Sequence, residues 1–289
     1  VILEIRSEKK DRVVMNKLLE EITSILEHGG VPDAAAEAKR IEFVAKSSTS
    51  ADYEGAARAM AERRAAGAPL AYVLGHEMFM GIDIIVSEGA LAPREETELL
   101  GYAALETIRT SGSAAPKVID MCCGSGNLAC AIAHHFPTVR VWASDLTDGC
   151  ISVARRNIKY VEVSERVVVA QGDLFAGLSD FGLEGSIDVV VCNPPYISQS
   201  KLATDRAELL EHEPREAFDG GPYGISILQR VVKEALPFLR PGGTLLFEIG
   251  LGQERQVKML FDRAKEYEDI QQVSNAEGEV RVVYGRKRA

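Results

Sequence analysis

The sequence is short of the residues that staple or metallate small proteins. Its five cysteines, Cys122, Cys123, Cys130, Cys150 and Cys192, are odd in number, confined to the middle of the chain and in one case adjacent, which does not fit the paired framework of a secreted disulfide scaffold. No Cys-x-x-Cys pair or His-x-x-x-His spacing occurs and the five histidines are scattered, so no zinc site is expected. His76, His134, His135 and His212 have no paired partner in sequence and are assigned no catalytic role. No run of about 20 apolar residues is present to span a bilayer. The opening Val1-Ile2-Leu3-Glu4-Ile5-Arg6 lacks the basic-then-apolar plan of a signal peptide. Positive charge is also scarce. A formal net charge of −10 and a pI near 5.2 argue against a broad electrostatic grip on duplex DNA or RNA. These absences lead us to expect a soluble, cytoplasmic protein whose cysteines are reduced and mostly small buried hydrophobes.

What the chain does hold is apolar residues, 46% of 289, ample for a core and too many for intrinsic disorder. The length allows two domains or one large one. Up to about residue 66 the pattern is helical. Val14, Leu18, Ile22, Ile25 and Leu26 recur at helical spacing until Gly29-Gly30-Val31-Pro32, Asp33 is placed to cap a second helix, and Ser47–Ser50 is a polar joint before a third. Tyr72-Val73-Leu74 and Ile82–Val86 are expected to be strands of a hairpin, broken by Gly75 and Gly81. Helical spacing returns from Glu95 to Ile108. Beyond Pro116 strands and helices alternate: strands at Val118–Met121, Val139–Ser144, Val167–Ala170, Ile187–Cys192, Thr244–Ile249 and Val280–Tyr284, with helices at Leu128–Phe136, Cys150–Tyr160, Ile227–Leu239 and Gln253–Lys265. Such alternation predicts an α/β fold with a doubly wound, mostly parallel sheet. The expected organisation is a helical segment over 1–68, a linking β-hairpin over 69–92 and an α/β domain over 93–289. Internal repeats and low-complexity tracts are absent.

The most informative stretch is Asn193-Pro194-Pro195-Tyr196, directly after the apolar run Ile187–Cys192. A buried strand delivers Asn193 to its carboxyl end, where α/β sheets place ligands. Two prolines fix φ at successive residues and remove two N–H donors. The Asn193 side-chain oxygen and the Pro194 carbonyl can then grip both hydrogens of a planar –NH2 group, with the Tyr196 ring beside it. This is a clamp for an amide or an exocyclic amine.

The first strand of the sheet runs into Asp120-Met121-Cys122-Cys123-Gly124-Ser125-Gly126-Asn127. A Gly-x-Gly turn between strand and helix lets the backbone approach a ligand closely. The third glycine of a dinucleotide fingerprint is missing, which disfavours NAD and FAD. Asp145, about 20 residues on at the end of the next strand, is placed to accept from both hydroxyls of a ribose, or to cap the following helix. Asp173, after the third strand, is placed to accept from an adenine amino group while Leu174 packs on the ring; a plain turn aspartate is the alternative. Together these fit S-adenosylmethionine, with the clamp opposite its sulfonium methyl.

With those motifs in view, the chain resembles the HemK/PrmC family of protein-glutamine N5-methyltransferases. The likeness also rests on Pro69-Leu70-Ala71-Tyr72-Val73-Leu74-Gly75 with Phe79, on Pro93-Arg94-Glu95-Glu96-Thr97-Glu98, and on Glu213-Pro214 with Ala217 and Gly224. It continues through Pro241-Gly242-Gly243, Glu248-Ile249-Gly250, and Gly278 to Arg281 with Gly285-Arg286. The resemblance implies a class I S-adenosylmethionine-dependent methyltransferase, Rossmann-like with a seven-stranded sheet and an antiparallel last strand, carrying an N-terminal helical domain that helps dock a protein. It implies methyl transfer to the glutamine amide of a Gly-Gly-Gln loop in a peptide chain release factor, with no membrane partner. By motif position Asp120, Cys122, Gly124, Gly126, Asn127, Asp145, Leu146, Asp173, Leu174 and Asn193 would bind cofactor. Asn193, Pro194 and Tyr196 would be catalytic, and Phe79, Pro93, Arg94, Thr97 and Pro195 would join them around the substrate. The family's Asp-Leu-Gly-Thr-Gly-Thr-Gly is here Asp120-Met-Cys-Cys-Gly-Ser-Gly126, with Cys122 in place of the first glycine, and Ala92 replaces a larger aliphatic residue. Those departures keep open a related enzyme acting on another protein or a small metabolite. The clamp alone also suits an adenine or cytosine amino-methyltransferase, and a binding module that retained the fold is a third reading. An amide nitrogen is a weak nucleophile, so positioning and electrostatics are expected to carry most of the rate.

Overall fold

In a computed structural model that describes residues 17–48, 51–204 and 213–289, the chain divides into two compact units, Val1–His76 and Glu77–Ala289. Val14, the opening residues, Thr49-Ser50 of the polar joint and His212 lie outside the described residues. No helix among the described residues is long and apolar enough to cross a membrane.

The first unit is helical: α1 (17–28), α2 (Ala34–Ser47), α3 (Tyr53–Ala65) and the single turn α4 (Leu70–Leu74). Gly30 stops α1 in a left-handed conformation (φ +73°), with the Val31 N–H donating to the Leu26 carbonyl and the Gly30 N–H to that of Glu27, each at 3.0 Å. That is the paired closure a C-terminal glycine permits. Asp33 precedes α2 as expected, although its side chain makes no capping bond. Asp52 does cap α3, its carboxylate accepting the Gly55 N–H at 2.8 Å. Leu18, Ile22, Leu26, Ile41 and Leu74 fill the core between these helices. The expected strand at Tyr72-Val73-Leu74 is instead the helical turn α4. Pro69 pre-sets the φ of a helix start and Gly75 closes the turn at φ +76°, and those two punctuation residues outweigh the β-favouring side chains between them.

The hairpin begins later than the sequence suggests, as β1 (His76–Phe79) and β2 (Ile82–Ile85). Met80 and Gly81 join them with φ +49° and +81°, the paired left-handed turn that matches strand twist. The Met80 N–H donates to Glu98 Oε1 at 2.6 Å, so α5 (Glu95–Thr110) holds the turn.

The second unit is built on a seven-stranded sheet. Its strands are β3 (Lys117–Met121), β4 (Arg140–Asp145), β5 (Val167–Gln171), β6 (Ile187–Cys192), β7 (Leu239–Glu248), β8 (Tyr267–Ser274) and β9 (Val280–Lys287), in the order β5-β4-β3-β6-β7-β9-β8. All pairs from β5 to β7 are parallel, and β9 runs antiparallel to both β7 and β8. Helices α6 (Asn127–His135), α7 (Asp148–Tyr160), α9 (Ser226–Glu234) and α10 (Glu254–Ala264) cover the sheet, and a short α8 (Gln199–Ala203) follows β6. In β6, Val189 and Val191 pack into one apolar layer while Val190 and Cys192 pack into the other. Burial on both faces explains why that strand reads as unbroken hydrophobic sequence. Two expectations need correction. Helix α9 ends at Glu234, and β7 already begins at Leu239, within what the sequence pattern assigns to helix. Strand β8, the seventh strand that the resemblance implies, has no place in the sequence pattern: it is an edge strand with mostly polar side chains, bulged at Asp269 (φ +51°), so it lacks the apolar alternation that marks a half-buried strand.

The order places β3 beside both β4 and β6, with Met121 opposite Cys192 in register. Chain order reverses at this point. The turns after β3 and β6 therefore leave side by side and frame the crevice in which open α/β sheets hold ligands.

Candidate active site

The turn after β3 is tight and partly strained. Cys122 stands in the left-handed region at φ +58°, where a β-carbon is disfavoured, and Gly124 and Gly126 follow at +52° and +75°. At Gly126 a β-carbon would lie 3.1 Å from the β-carbon of Ala154, so this glycine lets α7 press against the turn. Asp145, at the end of β4, accepts the Gly124 N–H at 2.8 Å through Oδ2 and the Leu146 N–H at 2.8 Å through Oδ1. The helix-capping alternative for Asp145 is not what α7 uses, because Thr147 caps that helix by accepting the Cys150 N–H. Buried Asn157 on α7 braces the same turn from behind: it donates to the Ser125 carbonyl at 2.9 Å and exchanges two hydrogen bonds with the backbone of Ile85.

A cavity opens over these strand ends. Cys122, Gly124 and Asn127 line it from β3, Asp145 and Leu146 from β4, Asp173 and Leu174 from β5, and Asn193 and Pro195 from β6. Leu174 holds φ +51°, an uncommon conformation for a bulky residue, of the kind that clusters at ligand sites. The Asp173 carboxylate is engaged by Arg230 Nη1 at 2.9 and 3.1 Å. Asp120 does not line the cavity. It is fully buried under the turn, where Oδ2 accepts the Ala129 N–H at 3.0 Å and Oδ1 has no partner among the described residues. Burial pushes its carboxyl up to about 8, and the nearby Asp145 charge adds to the rise.

The Asn193 carboxamide is tied down on one side. Its Nδ2 donates to Thr97 Oγ1 at 3.0 Å, and that hydroxyl donates in turn to Glu248 Oε2 at 2.7 Å. The other carboxylate oxygen of Glu248 accepts the Tyr196 phenol at 3.1 Å and Arg281 Nη2 at 3.2 Å. Burial raises the Glu248 carboxyl above the usual range, opposed by these same donors. Burial, then the Glu248 charge, pushes the Tyr196 phenol well up, so it stays protonated and donates. Pro194 is buried, and its carbonyl accepts no hydrogen bond among the described residues. Gln253 Nε2 fixes the backbone just beyond by donating to the Tyr196 and Gly224 carbonyls at 3.0 and 3.1 Å.

A second groove starts on the far side of Asn193, lined by Pro194, Tyr196, Lys201, Tyr223, Leu251 and Arg281 among others. The two spaces share Leu91, Arg94, Asn193 and Ala217, so Asn193 stands at their junction. Arg94 is held there by buried Glu213 at 2.5 Å. Pro93 and Thr97 border the first cavity. Phe79, expected along the site, is 1% exposed and lines neither space, because its ring is taken into the same buried apolar cluster as Leu100 and Leu128. Burial pushes the thiols of Cys123 and Cys192 well up and that of Cys150 to about 12, so these cysteines are packing groups and not thiolates.

Three contributors to this geometry are given no site role by the sequence: Glu248 and Arg281, which enter only as parts of the family likeness, and Asn157, which does not enter at all. Glu248 carries a signal, an acid directly after the apolar Leu245-Leu246-Phe247 at the end of a strand, where an unpaired carboxylate is costly. Asn157 carried none, because a single amide in a helix does not announce what it braces.

Comparison with known proteins bears on what such a site does. The family model described as methyltransferase small domain matches residues 100–221. A release factor glutamine methyltransferase of Moorella thermoacetica is 37% identical over 227 residues, covering 78% of each chain. One from Streptomyces coelicolor is 30% identical over 266 residues, covering 88% of this chain and 92% of the relative. Among solved structures, the hMettl16 catalytic domain bound to an RNA hairpin superposes with a TM-score of 0.55 at 15% identity, over 80% of this chain and 83% of that one. That last likeness is one of fold alone.

Proposed function

We propose that this chain, which belongs to the family of release factor glutamine methyltransferases, methylates the side-chain amide nitrogen of a glutamine in a peptide chain release factor, using S-adenosylmethionine. The observation that carries the reading is the state of Asn193. Its Nδ2 is committed to Thr97, which leaves Oδ1 as the acceptor at the junction of the two cavities. An acceptor there, beside a Pro194 carbonyl that accepts no hydrogen bond among the described residues, suits the two hydrogens of a primary amide.

The donor supplies a methyl group made electrophilic by its sulfonium. The first cavity fits such a molecule. The backbone at Gly124 and Cys122 allows close approach, Asp145 retains lone pairs for a diol, and Leu174 offers an apolar face. Asp120 lies beneath the turn and outside the cavity lining, so in this reading it supports the glycine turn through the Ala129 N–H and does not meet the donor. For Asp173, the pairing with Arg230 means that any role toward adenine is shared with that ion pair.

The substrate glutamine, in a Gly-Gly-Gln loop, would enter from the groove side. Asn193 Oδ1 and the Pro194 carbonyl accept its two N–H bonds, which draws electron density onto the nitrogen and holds its lone pair in one direction. Tyr196, its phenol fixed by Glu248, shields the nitrogen from water on the ring side. The amide proton is lost to solvent after transfer. Holding a weak nucleophile in near-attack geometry is where an enzyme gains its rate when, as among the described residues here, no strong base stands at the clamp. In this reading Arg94 and Tyr223 flank the incoming loop and the N-terminal helices help dock the protein.

The test is methyl transfer itself. The chain is incubated with radiolabelled S-adenosylmethionine and either purified release factors or nucleic acid, and the modified residue is mapped by mass spectrometry. Label on a release-factor glutamine supports the reading. Label on an adenine or cytosine amino group, or on another protein alone, refutes it.

A further inference from the structure

Every hydrogen bond that reaches Asn193 through Thr97 has its direction set from one end. Glu248 lies at the close of β7 and is 2% exposed, and three donors converge on its two oxygens: the Thr97 hydroxyl, the Tyr196 phenol and Arg281. A carboxylate can only accept. Thr97 has a single hydroxyl proton and spends it on Glu248, so toward Asn193 it can only accept. The Asn193 end that meets it must then be the –NH2, and the carbonyl end must face the cavities. The same carboxylate, through its other oxygen, holds the Tyr196 ring in place. We infer that Glu248 and Thr97 are positioning residues for methyl transfer: a one-way relay, anchored on an acceptor-only carboxylate, that fixes Asn193 as an acceptor and excludes the flipped carboxamide.

The inference rests on the reading of Asn193 as the acceptor of the substrate amide, and it adds a cause for that orientation. An unrestrained asparagine loses little when its carboxamide turns by a half-rotation, since both ends find partners in water. Flipped, it would present two N–H donors to a substrate –NH2 that also donates, and the grip would become a repulsion. Thr97 comes from α5 and Glu248 from β7, elements that pack together in the second unit, so the relay is rigid. Glu248→Gln replaces one acceptor with a donor. If the new –NH2 points at Thr97, that hydroxyl becomes the acceptor there and is free to donate to Asn193, which reverses the relay.

The experiment measures kcat, KM for the release factor and donor Kd for Thr97→Val, Thr97→Ser and Glu248→Gln, with the Thr97 variants repeated in an Asn193→Ala background. Thr97→Val and Glu248→Gln are expected to lower kcat about 30- to 100-fold while donor Kd changes less than about 3-fold. Thr97→Ser, which keeps the hydroxyl, recovers most of that loss. In the Asn193→Ala background Thr97→Val is expected to cost less than about 3-fold more, because its effect runs through Asn193. Full activity in Thr97→Val, or the same loss whether or not Asn193 is present, overturns the inference. Should Glu248→Gln fail to fold, the Thr97 pair decides alone. If the unsubstituted chain modifies no release-factor glutamine, the functional reading falls; if it does and Thr97→Val is fully active, only the relay falls.

Discussion

The carboxylate of Asp145 accepts the backbone N–H of Gly124 at 2.8 Å, which ties the end of β4 to the glycine turn after β3. One side chain thus both braces the turn and borders the cavity. Asp145→Ala removes the brace and the diol acceptor together. Donor affinity measured by calorimetry is expected to fall about 10- to 100-fold, the range for losing a hydrogen bond to a charged group. Asp145→Asn, which keeps an acceptor for Gly124, should lose less. Unchanged affinity in Asp145→Ala would place the donor elsewhere.

Asn193→Ala separates chemistry from donor binding. It deletes the acceptor at the cavity junction and leaves the glycine turn intact, so kcat is expected to fall about 100- to 1,000-fold, in the range of losing a preorganised polar contact to a reacting group. Donor Kd should stay within about 3-fold. Near-normal turnover would remove the clamp from the mechanism.

Asp120 makes stability depend on pH. Its carboxyl is raised from an ordinary value near 3.8 to about 8 in the folded chain. Between those values the folded state binds more protons than the unfolded one, so stability falls as pH rises from about 4 to about 8. Asp120→Asn cannot ionise. Urea unfolding of this variant is expected to show a flatter stability profile across that window than the parent. A parallel pair of profiles would show that Asp120 is ionised throughout, already paired.

Cys122 carries a β-carbon at φ +58°. Cys122→Gly relieves that strain and is expected to raise stability by about 0.5–1 kcal/mol, net of the extra chain entropy glycine brings to the unfolded state. A lower urea midpoint would mean that the cysteine side chain contributes more by packing than its backbone loses.

Much of this architecture was written in local pattern. The apolar run Ile187–Cys192 followed by Asn193-Pro194 identifies a doubly buried strand that ends beside a cavity, because burial on both faces removes the usual polar alternation. Gly124 and Gly126 were legible as a close-approach turn, and both adopt positive φ. What stayed hidden depended on partners far along the chain. Tyr72-Val73-Leu74 looks like strand until Pro69 and Gly75 are weighed as helix punctuation. Edge strand β8 needed only one neighbour, so its sequence carries little pattern. The bond from Asn193 to Thr97 spans 96 residues. Thr97 was legible as part of a motif, yet its hydrogen bonds to Asn193 and Glu248 join residues far apart in the chain, and no spacing rule encodes them.

The most direct test of the clamp is a crystal structure with the demethylated donor product and a peptide carrying a Gly-Gly-Gln segment. The account predicts the glutamine amide nitrogen within about 2.7–3.2 Å of both Asn193 Oδ1 and the Pro194 carbonyl oxygen, with Nδ2 still bonded to Thr97. A glutamine held elsewhere, or an Asn193 carboxamide turned so that its nitrogen faces the substrate, would contradict it.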